Sequence, residues 1–320
     1  MVARDPTNKK PVKNTLRRSY LPLAFEPMTM IVGAIEAGGT KFNCARISEN
    51  REILAETRIA TTTPDETLGQ VMEFFGNGIE SLSALGISCF GPIDLDLASA
   101  TYGHITETPK SAWRNTDIVG YLRGLGIPIA FDTDVNGAAY GEFKYGAAQG
   151  LHTFVYYTIG TGIGGGGMVA GHLMHGLSHP EMGHVRIPQN PVEDPYGGCC
   201  PFHGNCFEGL ASGPAIQNRW GCPAEDLSTD HPAWELEAQY IAHAVANTIC
   251  TMSPQRIILG GGVMKQDVLF PRIRQRVLEM LNGYLRHSDI LDRIESYIVP
   301  PALGEKSAIF GAAAMALSVR

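Results

Sequence analysis

Apolar positions along the chain fall into two repeating patterns, short continuous runs of strand length and longer stretches with helical spacing. Residues 31–36 (IVGAIE) predict a buried strand, Gly38 and Gly39 a tight turn, and 41–47 (KFNCARI) the returning strand of a hairpin. The pattern recurs at 154–159 (FVYYTI), which is followed by a glycine-rich turn and the segment GGMVAG. Two such hairpins read as equivalent elements of two duplicated lobes. Between them, Leu68, Val71, Met72, Phe75, Ile79 and Leu82 predict a helix over 64–83, and 84–90 (ALGISCF) a strand ending at Gly91 and Pro92. A strand over 127–132 (IPIAFD) leads into Asn136 and a helix rich in Ala and Gly. The second half predicts a long helix at 234–252, a strand at 256–259 closed by Gly260, Gly261 and Gly262, and an Ala-rich helix at 307–318. This alternation is that of α/β layers built on mixed sheets.

Composition narrows the picture. At 320 residues the chain exceeds one typical domain, so two lobes with a cleft between them are expected. The formal charge is -7, but the first 30 residues carry six cations against Asp5 and Glu26, which leaves the remainder more acidic still. An acidic body lacks the clustered Lys and Arg that a phosphate backbone requires, so no nucleic-acid partner is expected. Residues 1–28 have no apolar signal core and read as a disordered leader, with Met28 and Met30 as alternative starts. No apolar run reaches the roughly 18 residues of a membrane span, which points to a cytoplasmic protein with no membrane partner. Seven cysteines, three of them at 199, 200 and 206, suit a metal site in a reducing compartment better than a disulfide framework.

The glycine turns carry the first candidate chemistry. Around Gly38, Gly39, Thr40 and Lys41 the missing side chains let backbone N–H groups approach a phosphate closely. Thr158, Gly160, Thr161 and Gly162 repeat that chemistry, so the two hairpins could hold a triphosphate between them. Gly160, Gly162 and Gly165 also fit the dinucleotide fingerprint, with Glu181 as its acid, but that motif opens a helix, and the run Gly164–Gly167 disfavours one. No Gly-Lys-Ser/Thr occurs, because Glu305 interrupts the nearest candidate, so a P-loop is excluded. Asp134 follows an apolar strand, where a carboxylate either accepts a proton from an attacking hydroxyl or caps a helix. His203 lies three residues from Cys200 and three from Cys206, with His184 sixteen before Cys200. Two thiolates and two imidazoles make a closed, structural zinc site, in which Cys199 could replace Cys200.

Together these segments resemble the ROK family of sugar kinases and repressors, most closely its bacterial fructokinase branch. The resemblance implies an actin-like (ribonuclease H-like) duplicated two-lobe ATPase fold with an interlobe cleft. It implies that EAGGTK and TIGTGIGGG bind the phosphates of Mg-ATP, that LGGGV with Gly261 and Gly262 lies on the adenosine side, and that Asp134 is the general base. Lys110, Asn136, Glu181, His184 and Glu208 would contact the sugar, and His184 would also join Cys200, His203 and Cys206 on structural Zn2+. Glu36 stands where the family has Asp, Thr133 where it has Asn, and Lys110, in TPKSAW, where glucokinases carry Asn. These departures favour fructose over glucose and leave mannose or an N-acetylhexosamine open. The leader lacks a helix-turn-helix pattern, which disfavours a sugar-sensing repressor. The expected lobes are 29–136 joined by the C-terminal helix 305–320, and 137–304 with the zinc loop, in a homodimer.

Overall fold

The computed structural model describes residues 1–2, 30–77 and 82–319. The expected leader lies almost wholly outside the described residues, as does Ile79. The first half folds around a five-stranded sheet of β1 (Ile31–Ala37), β2 (Lys41–Ser48), β3 (Ile53–Ala60), β4 (Leu82–Cys89) and β7 (Ile129–Thr133). A two-stranded ribbon of β5 (His104–Ile105) and β6 (Thr116–Asp117) lies between β4 and β7 in sequence. The sheet order is β3-β2-β1-β4-β7, with β1, β2 and β3 antiparallel and β4 and β7 parallel to β1.

The second half repeats this plan. Its sheet comprises β8 (Phe154–Ile159), β9 (Ile163–Val169), β10 (His172–Leu173), β11 (Ile257–Gly260) and β12 (Ile298–Val299), in the order β10-β9-β8-β11-β12. The strand directions match those of the first sheet, which bears out the duplication read from the two hairpins.

Helices α1 (Pro64–Gly76), α2 (Ile118–Leu122) and α3 (Asp134–Tyr145) belong to the first half of the chain. In the second half follow α4 (Phe207–Ala211), α5 (Gly213–Trp220), α6 (Ala233–Met252), α7 (Leu269–Leu281), α8 (Ser288–Leu291), α9 (Ile294–Tyr297) and α10 (Ser307–Ser318). The helix expected over 64–83 is shorter than its hydrophobic period suggests. Its backbone stops at Gly76, Asn77 caps it, and Leu82 already pairs with Ile31 as the first residue of β4. Cross-strand pairing thus captures the apolar residue that the helical period had claimed.

The large core of the second lobe is built on Phe207, Trp234, Tyr240, Ile241 and their neighbours around α6. Between the sheets run α3 and α10. Ile309, Ala312 and Ala316 of α10 pack on Val32, Ala34 and Ala84 of the first sheet, while Ala138 and Ala139 of α3 pack with Phe154 and Tyr156 of the second. These two helices touch through backbone, since a Cβ at Gly311 would run into the carbonyl of Gly137. A close helical crossing requires such small residues.

Candidate active site

Carboxyl ends of parallel strands converge at one edge of each sheet. Ala37 pairs with Cys89 and Cys89 with Thr133, so the turn after β1, the turn after β4 and the start of α3 emerge side by side. In the second sheet Thr158 pairs with Gly260, which brings the turn 160–162 next to Gly261 and Gly262. In open α/β sheets this edge is where ligands bind.

The first turn is fixed by Gly38, whose N–H donates to the Lys41 carbonyl over 2.9 Å, and by Thr61, whose hydroxyl donates to the Gly38 carbonyl over 2.7 Å. Glu36, at the end of β1, accepts from Asn43 Nδ2 at 2.7 Å, and burial raises its pKa. The second turn is closed by Gly160 N–H donating to the Gly162 carbonyl and is held by Glu208, whose Oε2 accepts from Ile163 N–H at 2.9 Å. One carboxylate oxygen of Glu208 therefore braces the turn.

Asp134 opens α3, but it does not cap it. The cap is Thr133, whose hydroxyl accepts from Asn136 N–H, while Asp134 Oδ1 accepts from the adjacent Val135 N–H at 2.9 Å. Relieved of capping, the Asp134 carboxyl is pushed up to about 7 by burial and by the negative charges of Glu36 and Glu181. Two of those three carboxyls come from the first half and one from the second. A base poised near neutrality at the edge where the first glycine turn emerges can take a proton from a hydroxyl.

Glu181 precedes the single turn Met182–His184, and burial together with Glu208 raises its carboxyl to about 7. His184 Nε2 faces Glu181 Oε2 at 4.0 Å. Its other nitrogen, Nδ1, lies 3.7 Å from Cys200 Sγ and 3.6 Å from Cys206 Sγ, and His203 Nδ1 lies 3.6 Å from Cys200 Sγ. The ligand atoms of these four residues all fall within 4.8 Å of one another. With Zn–S about 2.3 Å and Zn–N about 2.0–2.1 Å, neighbouring ligands of a tetrahedral zinc lie about 3.3–3.8 Å apart, so the arrangement fits the ion. Cys199 is outside the cluster, its Sγ 3.8 Å from Ser212 Oγ, which selects Cys200 over its neighbour.

One further expectation changes. Asn136, expected to touch the sugar, is fully buried. Its Nδ2 donates to Asp132 Oδ1 at 2.9 Å and to the Met174 carbonyl at 3.3 Å, and its Oδ1 accepts from Gly167 N–H at 3.2 Å, so it joins α3 to β9 and has no group left for the cleft. Lys110 lies across the first phosphate turn, its Cε 2.9 Å from where a Cβ of Gly39 would stand. The sequence reading passed over His175 and His179. His175 Nε2 sits 2.8 Å from Asp132 Oδ2, and His179 Nε2 accepts from Ile93 N–H at 3.0 Å. Their only sequence signal is three histidines in HLMHGLSHP, with partners distant in the chain.

Duplicated sheets with paired glycine turns at a shared edge define an actin-like two-lobed ATPase fold. The ROK family model matches residues 32–319, and the chain belongs to the ROK family. A Bacillus subtilis (strain 168) protein, provisionally named fructokinase, is 50% identical over 287 residues, 89% of this chain and 95% of its own. The fructokinase of Zymomonas mobilis is 45% identical over 295 residues, 90% of this chain and 97% of its own. Among solved structures, the ROK hexokinase of Thermus thermophilus aligns over 90% of this chain and 98% of its own, with a TM-score of 0.71 at 23% identity. Among the described residues no helix is long and apolar enough to cross a membrane.

Proposed function

We propose that this chain is an ATP-dependent hexose kinase that phosphorylates D-fructose to fructose 6-phosphate. The observation that carries the reading is Asp134, a carboxyl raised to about 7 at the sheet edge it shares with the first glycine turn and within the field of Glu36 and Glu181. The names of the Bacillus and Zymomonas relatives support fructose among hexoses.

In this reading backbone N–H groups of the turns at 38–40 and 160–162 hold the phosphates, with Lys41, Thr158 and Thr161 beside them and Gly261 and Gly262 on the nucleoside side. Glu181, His184 and Glu208 orient the sugar, and Lys110 reaches the reacting groups from above Gly39. The sugar oxygen attacks the γ-phosphorus in line, the bond to the β-phosphate oxygen breaks, ADP leaves, and the hydroxyl proton passes to Asp134. Mg2+ bound to the nucleotide would neutralise charge on the transferring phosphoryl. His184, Cys200, His203 and Cys206 would hold structural zinc, a closed set that supplies order and no open coordination position.

The lobes are taken as 29–136 with 305–320 and as 137–304, closing on the cleft to exclude water. The enzyme is read as a cytoplasmic homodimer. A coupled ADP-release assay across fructose, glucose, mannose and N-acetylhexosamines tests the proposal. Fructose should give the highest kcat/KM, and a preference for another hexose would reassign the substrate.

A further inference from the structure

His179 is 7% exposed and lies between the two halves of the chain. Ile93 N–H, in the turn after β4, donates to its Nε2 over 3.0 Å. A ring nitrogen that accepts a hydrogen bond carries no proton, so in the neutral imidazole the proton is on Nδ1. Burial favours that neutral form. Nδ1 faces Glu181 Oε1 at 3.5 Å, with the Pro180 carbonyl as the other acceptor beside the ring. His184 faces the opposite oxygen, Oε2, at 4.0 Å. Two imidazoles therefore address the two oxygens of one carboxyl, and His179 anchors its side to the backbone of the first lobe.

We propose that His179 is a positioning residue that orients Glu181 through its Nδ1–H and so sets affinity for the sugar. This rests on the reading of Glu181 as a sugar contact. A carboxyl at a substrate site gains from having its rotamer fixed by a neighbouring donor, because the ordering cost is met before the substrate arrives. The nearby His175 pairs with Asp132 and does not touch Glu181, so the ion pair and the positioning contact are separable.

Two substitutions divide the two functions of the ring in the full-length enzyme. His179→Gln extends an amide toward the Nε2 position and can accept from Ile93 N–H, whereas His179→Asn keeps an amide donor near Nδ1. We expect His179→Gln to raise the fructose KM about tenfold, with kcat within about threefold and ATP KM within about twofold, the pattern of lost substrate binding. His179→Asn should raise the fructose KM at least about threefold less than His179→Gln does. The reverse order would assign the ring to the Ile93 backbone alone and overturn the proposal. In a Glu181→Ala background, His179→Gln should add less than about twofold to KM, since the groups act as a unit. A full tenfold addition there would likewise overturn it. If Glu181→Ala itself leaves KM unchanged, the site reading fails. If Glu181→Ala raises KM while both His179 variants are silent, only the present inference fails.

Discussion

Asp134 faces two opposing demands. Burial raises its carboxyl to about 7, with Glu36 and Glu181 adding to the shift, which suits a base working near neutrality and penalises the folded state that must carry its charge. The folded chain binds this proton more tightly than the unfolded chain does. Its contribution to stability is therefore full below the ordinary carboxylate range and is lost as pH rises through about 7. Asp134→Asn should cut kcat by about 10² to 10⁴. The same variant should melt roughly 3 °C or more higher at pH 8 with little gain at pH 4, because the charge it removes is absent in acid. In the parent enzyme kcat/KM for the sugar should fall as pH drops through about 7. Near-normal turnover by the variant, or a lower melting temperature at pH 8, would remove Asp134 from the role of base. Asn136 was misjudged from the same stretch of sequence, and helix geometry explains why. At about 100° per residue, a side chain two positions on points to the far face of α3, here toward β9.

Each local element was legible in the sequence to the extent that its determinants are local. The hairpins could be read because a glycine turn between apolar runs specifies itself, and the metal cluster because three of its four ligands lie within seven residues. The end of α1 was not legible, since Leu82 satisfies a helical period and a strand equally well until its pairing with Ile31 is known. The contact of His179 with Ile93 spans 86 positions and leaves no local trace. The turns themselves supply a contrast. Gly160 has ordinary backbone angles, and an added Cβ would lie 3.5 Å from Gly262 N, an ordinary contact. Gly261 has φ +94° and a Cβ there would meet the backbone of Ile159. Gly160→Ala should therefore keep the parent melting temperature while weakening ATP binding, whereas Gly261→Ala should lose stability first. Equal nucleotide affinity in Gly160→Ala would make that turn purely structural. For the metal loop, one zinc per chain is expected, and chelation or Cys206→Ser should raise the fructose KM and lower the melting temperature with little change in ATP affinity. Metal analysis of the purified protein and paired sugar and nucleotide titrations check this.

At the scale of the whole molecule, the two sheets are joined through α3 and α10, and a single carboxyl fastens that junction. Glu142, fully buried in α3, accepts from Ala147 N–H at 2.6 Å and Ala302 N–H at 3.0 Å on Oε2, and from Leu303 N–H at 2.9 Å and Ser307 Oγ at 2.7 Å on Oε1. Three of these donors belong to the segment that leads into α10, so the carboxyl links the helix leaving the first sheet to the helix that returns to it. Glu142→Gln preserves shape but turns one oxygen into an NH2 group that faces two donors. With the NH2 on the Oε2 side, the Ala147 and Ala302 N–H groups both lose their acceptor. On the Oε1 side Ser307 Oγ can accept from it and donate to the Gly304 carbonyl 2.9 Å away, but Leu303 N–H is left unpaired, and an unpaired buried polar group is costly. The substitution should destabilise the protein by about 2–4 kcal/mol, a drop of roughly 3–6 °C in melting temperature for a chain of this size. Glu142→Ala should be at least as harmful, because it leaves the Ala147, Ala302 and Leu303 N–H groups without an acceptor, while Ser307 Oγ keeps the Gly304 carbonyl. Well below the melting temperature, both variants should retain the fructose and ATP KM values of the parent, since Glu142 touches neither phosphate turn nor Glu181. A melting temperature within about 2 °C of the parent would show that water replaces the lost acceptor and that the junction is held by packing alone. Unchanged stability with a raised KM for both substrates would instead make Glu142 part of the coupling between the lobes.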